Sequence, residues 1–234
     1  MNDVPLHKRI RKKVGGVSRN INVRLGGTAV TEKEWQSKTG DEAYWQTVDH
    51  PHRNKLVAAV ASFSPGSVLE VGCNSGPNLY RLAKAISDSR LVGIDLNQNA
   101  ITRGNERFRE LGMVNVELRV GKADDLQEFK DVSFDVVFSD AVMIYVGKDK
   151  IDRVIDEMLR VAKKGVVLIE WHQEGTKAKG KYLYNKGYWI RDYTALLDER
   201  LDVKAVKTTS LTREDWDDDC WGRYGHVIEA VKEQ

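Results

Sequence analysis

The chain has 234 residues, of which 41% are hydrophobic and 31% charged, with a formal net charge of +2. That length can bury the core of one α/β domain, and no apolar run approaches the roughly 20 residues that span a bilayer. Cys73 and Cys220 stand far apart with no CxxC or Cys/His cluster, which excludes a disulfide framework and a zinc site and leaves two free thiols. The N-terminus lacks a signal-peptide apolar stretch, so a cytoplasmic protein is expected.

Residues 1–24 form a basic arm, with seven basic side chains against Asp3 alone, and residues 25–234 read as a single domain. Such an arm can contact nucleic acid, but short basic termini are usually solvated, and no RNA-module motif accompanies this one. Residues 25–65 read as a lid with N-terminal helices: Trp35, Tyr44 and Trp45 stand in a polar stretch, and Leu56, Val57, Val60 and Phe63 share one helical face. From residue 66 strands and helices alternate. "SVLEV" (67–71), "RLVGID" (90–95), "NVELRV" (115–120), "FDVVFS" (134–139) and "GVVLIEW" (165–171) read as Val/Ile/Leu-rich strands separated by segments of helical period. That alternation predicts a parallel sheet covered by helices on both faces. An aromatic insertion at 172–192 follows, then a helix in "RDYTALLDE" and a closing pair of strands, "RLDVKAVKT" and "GHVIEAVKE". The acidic loop between them, "EDWDDDCW" (214–221), reads as a solvated connection because it lacks the spacing of a calcium loop.

The turn after the first strand carries the chemistry. Gly72, Cys73, Asn74, Ser75 and Gly76 leave room for a ligand to approach the backbone, and Pro77 suits the first position of the following helix, whose free N–H groups favour an anionic group. A dinucleotide fingerprint starting at Gly72 needs glycine at 74 and 77, where Asn74 and Pro77 stand. The pattern present is Glu70-x-Gly72-x-x-x-Gly76, with Asp95 closing the next strand in "GIDLNQNA", "GKADDL" after the third, and "FDVVFSDAV" at the fourth. In this order these segments resemble the class I S-adenosylmethionine-dependent methyltransferases over about residues 55–172.

The resemblance implies a Rossmann-like seven-stranded, mostly parallel sheet of order 3-2-1-4-5-7-6 and S-adenosylmethionine as cofactor, with S-adenosylhomocysteine as product. It implies that Gly72, Cys73, Asn74 and Gly76 carry the methionine portion, with Glu70 and Asp140 beside them. Asp95 would hold the ribose, Leu96 cover one adenine face, and Ala123 with Asp124 fix the adenine edge. Enzymes methylating nucleobase amines carry Asn/Asp-Pro-Pro-Tyr/Phe after the fourth strand; this chain has "SDAVMIY", which points away from nucleic-acid bases and toward an O or N atom of a small molecule. An RNA- or protein-directed methyltransferase, or a cofactor-binding partner protein using the basic arm, stays as the alternative. No metal is expected, and oligomeric state is open.

On the acceptor side, His172 at the end of "LIEWH" is read either as a general base or as a histidine bonded to loop backbone. Asp140 and Tyr145 are the other catalytic candidates. Trp45, His50, Arg53, Tyr182, Tyr184, Trp189 and Arg191 are the acceptor-pocket candidates; the aromatic ones among them serve equally well to pack a lid. In "HPHR", His52 is read as part of a polar helix start.

Overall fold

A computed structural model describes residues 27–38, 41–176, 183–185 and 188–233. The basic arm and Tyr182 lie outside these residues.

Nine strands and eight α-helices occur among the described residues. The strands are β1 (Ser67–Val71), β2 (Arg90–Asp95), β3 (Val116–Val120), β4 (Phe134–Asp140), β5 (Ala162–Trp171), β6 (Leu183–Asn185), β7 (Tyr188–Ile190), β8 (Val203–Ser210) and β9 (Gly225–Lys232). The helices are α1 (Thr28–Gln36), α2 (Asp41–Trp45), α3 (His52–Ser62), α4 (Pro77–Ala85), α5 (Gln98–Glu110), α6 (Ile151–Val161), α7 (Tyr193–Asp198) and α8 (Trp221–Tyr224). Seven strands form one sheet of order β3-β2-β1-β4-β5-β9-β8, and β6 pairs with β7 in a separate hairpin. Counting sheet strands alone, this is the expected order 3-2-1-4-5-7-6. The first five pair in parallel; β9 runs antiparallel to both β5 and β8.

Alternation of side chains along the parallel strands loads both faces of the sheet. Val68, Leu91, Val136 and Phe138 face α3, α4 and α5 through Leu56, Val60, Leu79, Leu82 and Phe108. Leu69, Val71, Val92 and Val137 face α6 and α7 through Ile151, Ile155, Met158, Tyr193 and Leu196. With both faces closed, open crevices remain only where the strands end, and β1 and β4 are neighbours whose connections leave in opposite directions along the sheet.

Two glycines shape the crevice. Gly72 has φ +80, and a Cβ there would stand 2.3 Å from Val142 Cγ2, so only glycine lets the turn after β1 meet the turn after β4. Gly76, φ +84, precedes Pro77 at the start of α4, and a Cβ would stand 2.7 Å from Phe108 Cε2. In the segment before β1, α1 lies against the loop after β4. Asp149 replaces the missing N-cap side chain at Gly27, accepting from the Thr28 N–H at 3.1 Å and the Thr28 hydroxyl at 2.9 Å.

Candidate functional site

The carboxyl ends of β1, β2 and β4 open into a cavity of about 680 Å³, roofed by α1 and α2 and closed at the far side by the loop before α8. Of the cofactor candidates, Gly72, Asn74, Asp95, Leu96, Ala123, Asp124 and Asp140 line it. Asp95 ties the two strand ends together: its carboxylate accepts from the Asn74 N–H and the Asn97 N–H, both at 2.8 Å. Burial nevertheless pushes its pKa up, the backbone donors offsetting only part. Asn74, at φ +50, has its own Oδ1 bonded to the Ser75 N–H at 2.8 Å, so the turn is held open from inside. Glu70, Cys73 and Gly76 do not line the cavity. The Cys73 side chain lies in the core under α4, where burial raises its thiol pKa well above the ordinary value.

Under the turn lies a buried polar cluster. Asp140 Oδ2 accepts from His52 Nε2 at 2.9 Å, Asn78 Nδ2 at 3.1 Å and Arg53 Nη1 at 3.2 Å. Burial works to raise the Asp140 pKa, but His52, Arg53 and Asn78 outweigh it and hold it at about 2. Glu70 Oε1 accepts from Asn78 Nδ2 at 2.7 Å, and burial raises Glu70 to about 8. Asp140 Oδ1 and Glu70 Oε2 are buried with no hydrogen-bond partner.

The turn after β4 is set by Glu170 of β5. Its carboxylate accepts from the N–H groups of Val142 and Met143 at 2.9 Å and of Ile144 at 3.1 Å, which supports Ala141 in a left-handed conformation with φ +57. Burial pushes Glu170 to about 7. Tyr145 ends this turn and lines the cavity.

The acceptor-side candidates divide. His50 and Arg53 line the cavity; Trp45, His172, Trp189 and Arg191 do not. Trp45 packs on Tyr80 and Phe108 with Arg107 over its ring, and its neighbour Tyr44 takes the cavity position. Trp171 lines the cavity, and strand alternation sends His172 the other way: its ring lies against Tyr193 and His226, and its Nδ1 accepts from the Tyr193 N–H at 3.1 Å. Arg191 is buried and donates to the carbonyls of Met143 and Val146, holding the turn after β4 from behind. Tyr184 lies in β6, within the described backbone.

Two segments read as bland belong to the site. His52 is 2% exposed and lines the cavity beside Asp140. The acidic loop 214–221 is no solvated connection throughout: Trp216 and Trp221 stack at 3.8 Å and 3° and form part of the wall. Two tryptophans inside an acidic run were the available signal, since solvent offers them nothing to pack on. Lys150, also unflagged in the sequence, bridges Asp124 at 3.0 Å and Glu32 of α1 at 2.5 Å.

Residues 68–165 match a methyltransferase domain model. Over that stretch, less than half of its length, the chain is similar to a methyltransferase domain. The domain's sheet is shared with the solved structure of a SAM dependent methyltransferase from Aquifex aeolicus, at 19% identity and TM-score 0.55 over 84% of this chain and 100% of that one. The 4+2 cyclase SpnF has the same fold at 20% identity and TM-score 0.60, over 77% of this chain and 81% of that chain. Among curated relatives, the demethylmenaquinone methyltransferase of Bacillus cytotoxicus is 31% identical over 131 residues, 53% of this chain and 53% of its own length. The chain spans about half the length, or less, of the curated relatives it matches. No helix among the described residues is long and apolar enough to cross a membrane.

Proposed function

We propose that the protein transfers a methyl group from S-adenosylmethionine to an O or N atom of a small-molecule acceptor. The observation that carries this reading is the meeting of Asp95, the Gly72–Asn74 turn and the Ala123–Asp124 segment on one cavity wall, at the ends of three adjacent strands. The residues suit the cofactor part by part. Asp95 retains lone pairs for the two ribose hydroxyls beyond those that its backbone donors use. Leu96 offers an apolar surface to the adenine, and Asp124 an acceptor to its exocyclic amine. The orphaned Oδ1 of ionised Asp140, which lines the cavity, suits the ammonium group of the methionine portion. When bound, the cofactor supplies an electrophilic methyl group on a sulfonium.

A small acceptor is favoured over a macromolecule by the roof. Helix α1 is pinned to the turn after β4 by Asp149 and by the Thr31 hydroxyl, which donates to the Tyr145 carbonyl at 2.8 Å. A cavity of about 680 Å³ under such a roof has the dimensions of small-ligand sites. The test has two arms. Calorimetry with S-adenosylhomocysteine should give saturable binding; none would remove the reading. Methyl-labelled cofactor incubated with a cell extract should mark the small-molecule fraction, whereas label confined to RNA or protein, with salt-sensitive RNA binding, would favour the alternative that uses the basic arm.

A further inference from the structure

The cavity wall beyond Asp140 is a run of rings in contact. It passes from Tyr188 to Trp171 at 5.2 Å, Trp221 at 5.8 Å, Trp216 at 3.8 Å, and then to His52 at 4.1 Å and His50 at 5.0 Å. Trp171 Nε1 is buried without a partner, so this part of the cavity presents one unanswered donor. Arg53, the cation beside Asp140, is committed to Asp140, Asn78 and both oxygens of Thr47. No metal-holding group of side chains occurs among the described residues. A phosphorylated acceptor would meet no spare counter-charge here.

The histidines form a chain with one open end. Asp140, ionised, only accepts, so His52 carries its proton on Nε2. His52 Nδ1 is then an acceptor, and its 2.6 Å contact with His50 Nδ1 places the His50 proton on Nδ1. The His50 Nε2 lone pair is thereby left open on a residue that lines the cavity. Burial, then His52 and Arg53, lower the His50 pKa, so the ring is neutral near pH 7.

We propose that this part of the site takes a flat ring system bearing an ionisable hydroxyl, a phenol or a fused-ring equivalent, and that His50 Nε2 removes the hydroxyl proton during methyl transfer. The proposal rests on the methyltransferase reading above. The ring packs against the aromatic wall, while Trp171 Nε1 supplies a donor for a polar group. The proton passes to Nε2, the oxygen's electron pair forms the O–CH3 bond, and the sulfonium C–S bond breaks with its pair going to sulfur. The imidazolium then returns the proton to water. His52 and Asp140 are positioning residues. The charged groups that bear on His50 are His52, Arg53 and Asp140, and its chain neighbour Asp49 is held by Arg81.

The probe is 2-naphthol, with 2-methoxynaphthalene as product, on the full chain. Calorimetry on protein loaded with S-adenosylhomocysteine should show saturable 2-naphthol binding that glycerol 3-phosphate does not displace. His50→Gln should bind 2-naphthol within about threefold of the native affinity and transfer methyl about 10²- to 10⁴-fold more slowly near pH 7. Its rate should recover as pH rises and the naphthol ionises in solution, a rescue that a structural defect would not give. His52→Gln, the second variant, should show the same rescue with a smaller loss. Absence of rescue in both, 2-naphthol bound but not methylated by the native protein, or 2-naphthol unbound on protein that holds S-adenosylhomocysteine would each overturn the proposal. Failure to hold S-adenosylhomocysteine at all would overturn the methyltransferase reading instead.

Discussion

His52 Nε2 lies 2.9 Å from Asp140 Oδ2, and the adjacent Arg53 reaches the same oxygen at 3.2 Å, with all three side chains nearly excluded from solvent. One carboxylate oxygen at the end of β4 therefore anchors the first turn of α3. Asp140→Ala would leave the Arg53 charge buried without its counter-ion, and breaking a buried pair in this way costs about 3–5 kcal/mol. Urea unfolding should show that loss, and Asp140→Asn, which keeps one acceptor, should lose less. The pH dependence has a definite sign. Asp140 is held at about 2 in the fold against 3.8 ordinarily, so its contribution is complete above 3.8 and disappears as pH falls through 2. The Asn variant should lack that acid-induced loss.

Glu70 and Glu170 behave oppositely. Burial raises them to about 8 and about 7 from 4.5, so between those values the folded chain holds protons that the unfolded chain has released. Stability should therefore fall as pH rises from 4.5 toward 8. Glu70→Gln keeps an oxygen for Asn78 and removes the ionisation. Its melting temperature should decline less than the native one between about pH 5 and about pH 8.5. An equal decline in both proteins would mean that Glu70 is ionised in the fold.

The cavity wall at the ends of β1, β2 and β3 was legible in the sequence because its parts sit where strands end, and strand ends are marked by short apolar runs with fixed spacing. Gly72, Asp95, Ala123 and Asp124 needed only that the first three strands be recognised. The acceptor wall is made of loops that no period governs. Nothing local in "HPHR" shows that His52 meets Asp140, 88 positions away, or that Trp216 reaches back to pack against both histidines. His172 was placed by its strand but not by its face, and in β5 a shift of one residue exchanges cavity for core. Arg191 followed the aromatic insertion by composition, whereas burial against two carbonyls is a tertiary fact.

Helix α1 should open as a unit when its distant cap is removed. Asp149 accepts from both the N–H and the hydroxyl of Thr28, and the Gly147 N–H donates to that hydroxyl at 2.8 Å. Loss of an N-cap side chain costs about 1 kcal/mol. In Asp149→Ala, amides of 28–36 should exchange about fivefold faster while those of β1 and β4 stay unchanged. Uniform acceleration throughout would show that the cap supports the whole domain instead of its roof.

Asp95 makes the sharpest demand on the cofactor assignment, because it has two separable duties. Toward the protein, its carboxylate holds the Asn74 and Asn97 N–H groups and so joins the turns after β1 and β2. Toward the ligand, the carboxylate keeps lone pairs for the ribose hydroxyls, and a hydrogen bond to a charged group contributes about 1.5–3 kcal/mol. Asp95→Ala removes both duties. Affinity for S-adenosylhomocysteine should fall by that amount, and the melting temperature of the ligand-free protein should drop as well. Asp95→Asn keeps one acceptor oxygen but turns the other into a donor, which cannot accept a backbone N–H or a ribose hydroxyl. It should therefore bind between the native protein and the alanine variant. The two readouts separate the duties, since in the proposed site adenine meets Leu96, Ala123 and Asp124 and not Asp95. Its affinity should change little in either variant, whereas adenosine should lose nearly the full amount. If adenosine affinity were unchanged while stability fell, Asp95 would be a strap between two turns and the ribose would lie elsewhere on the wall.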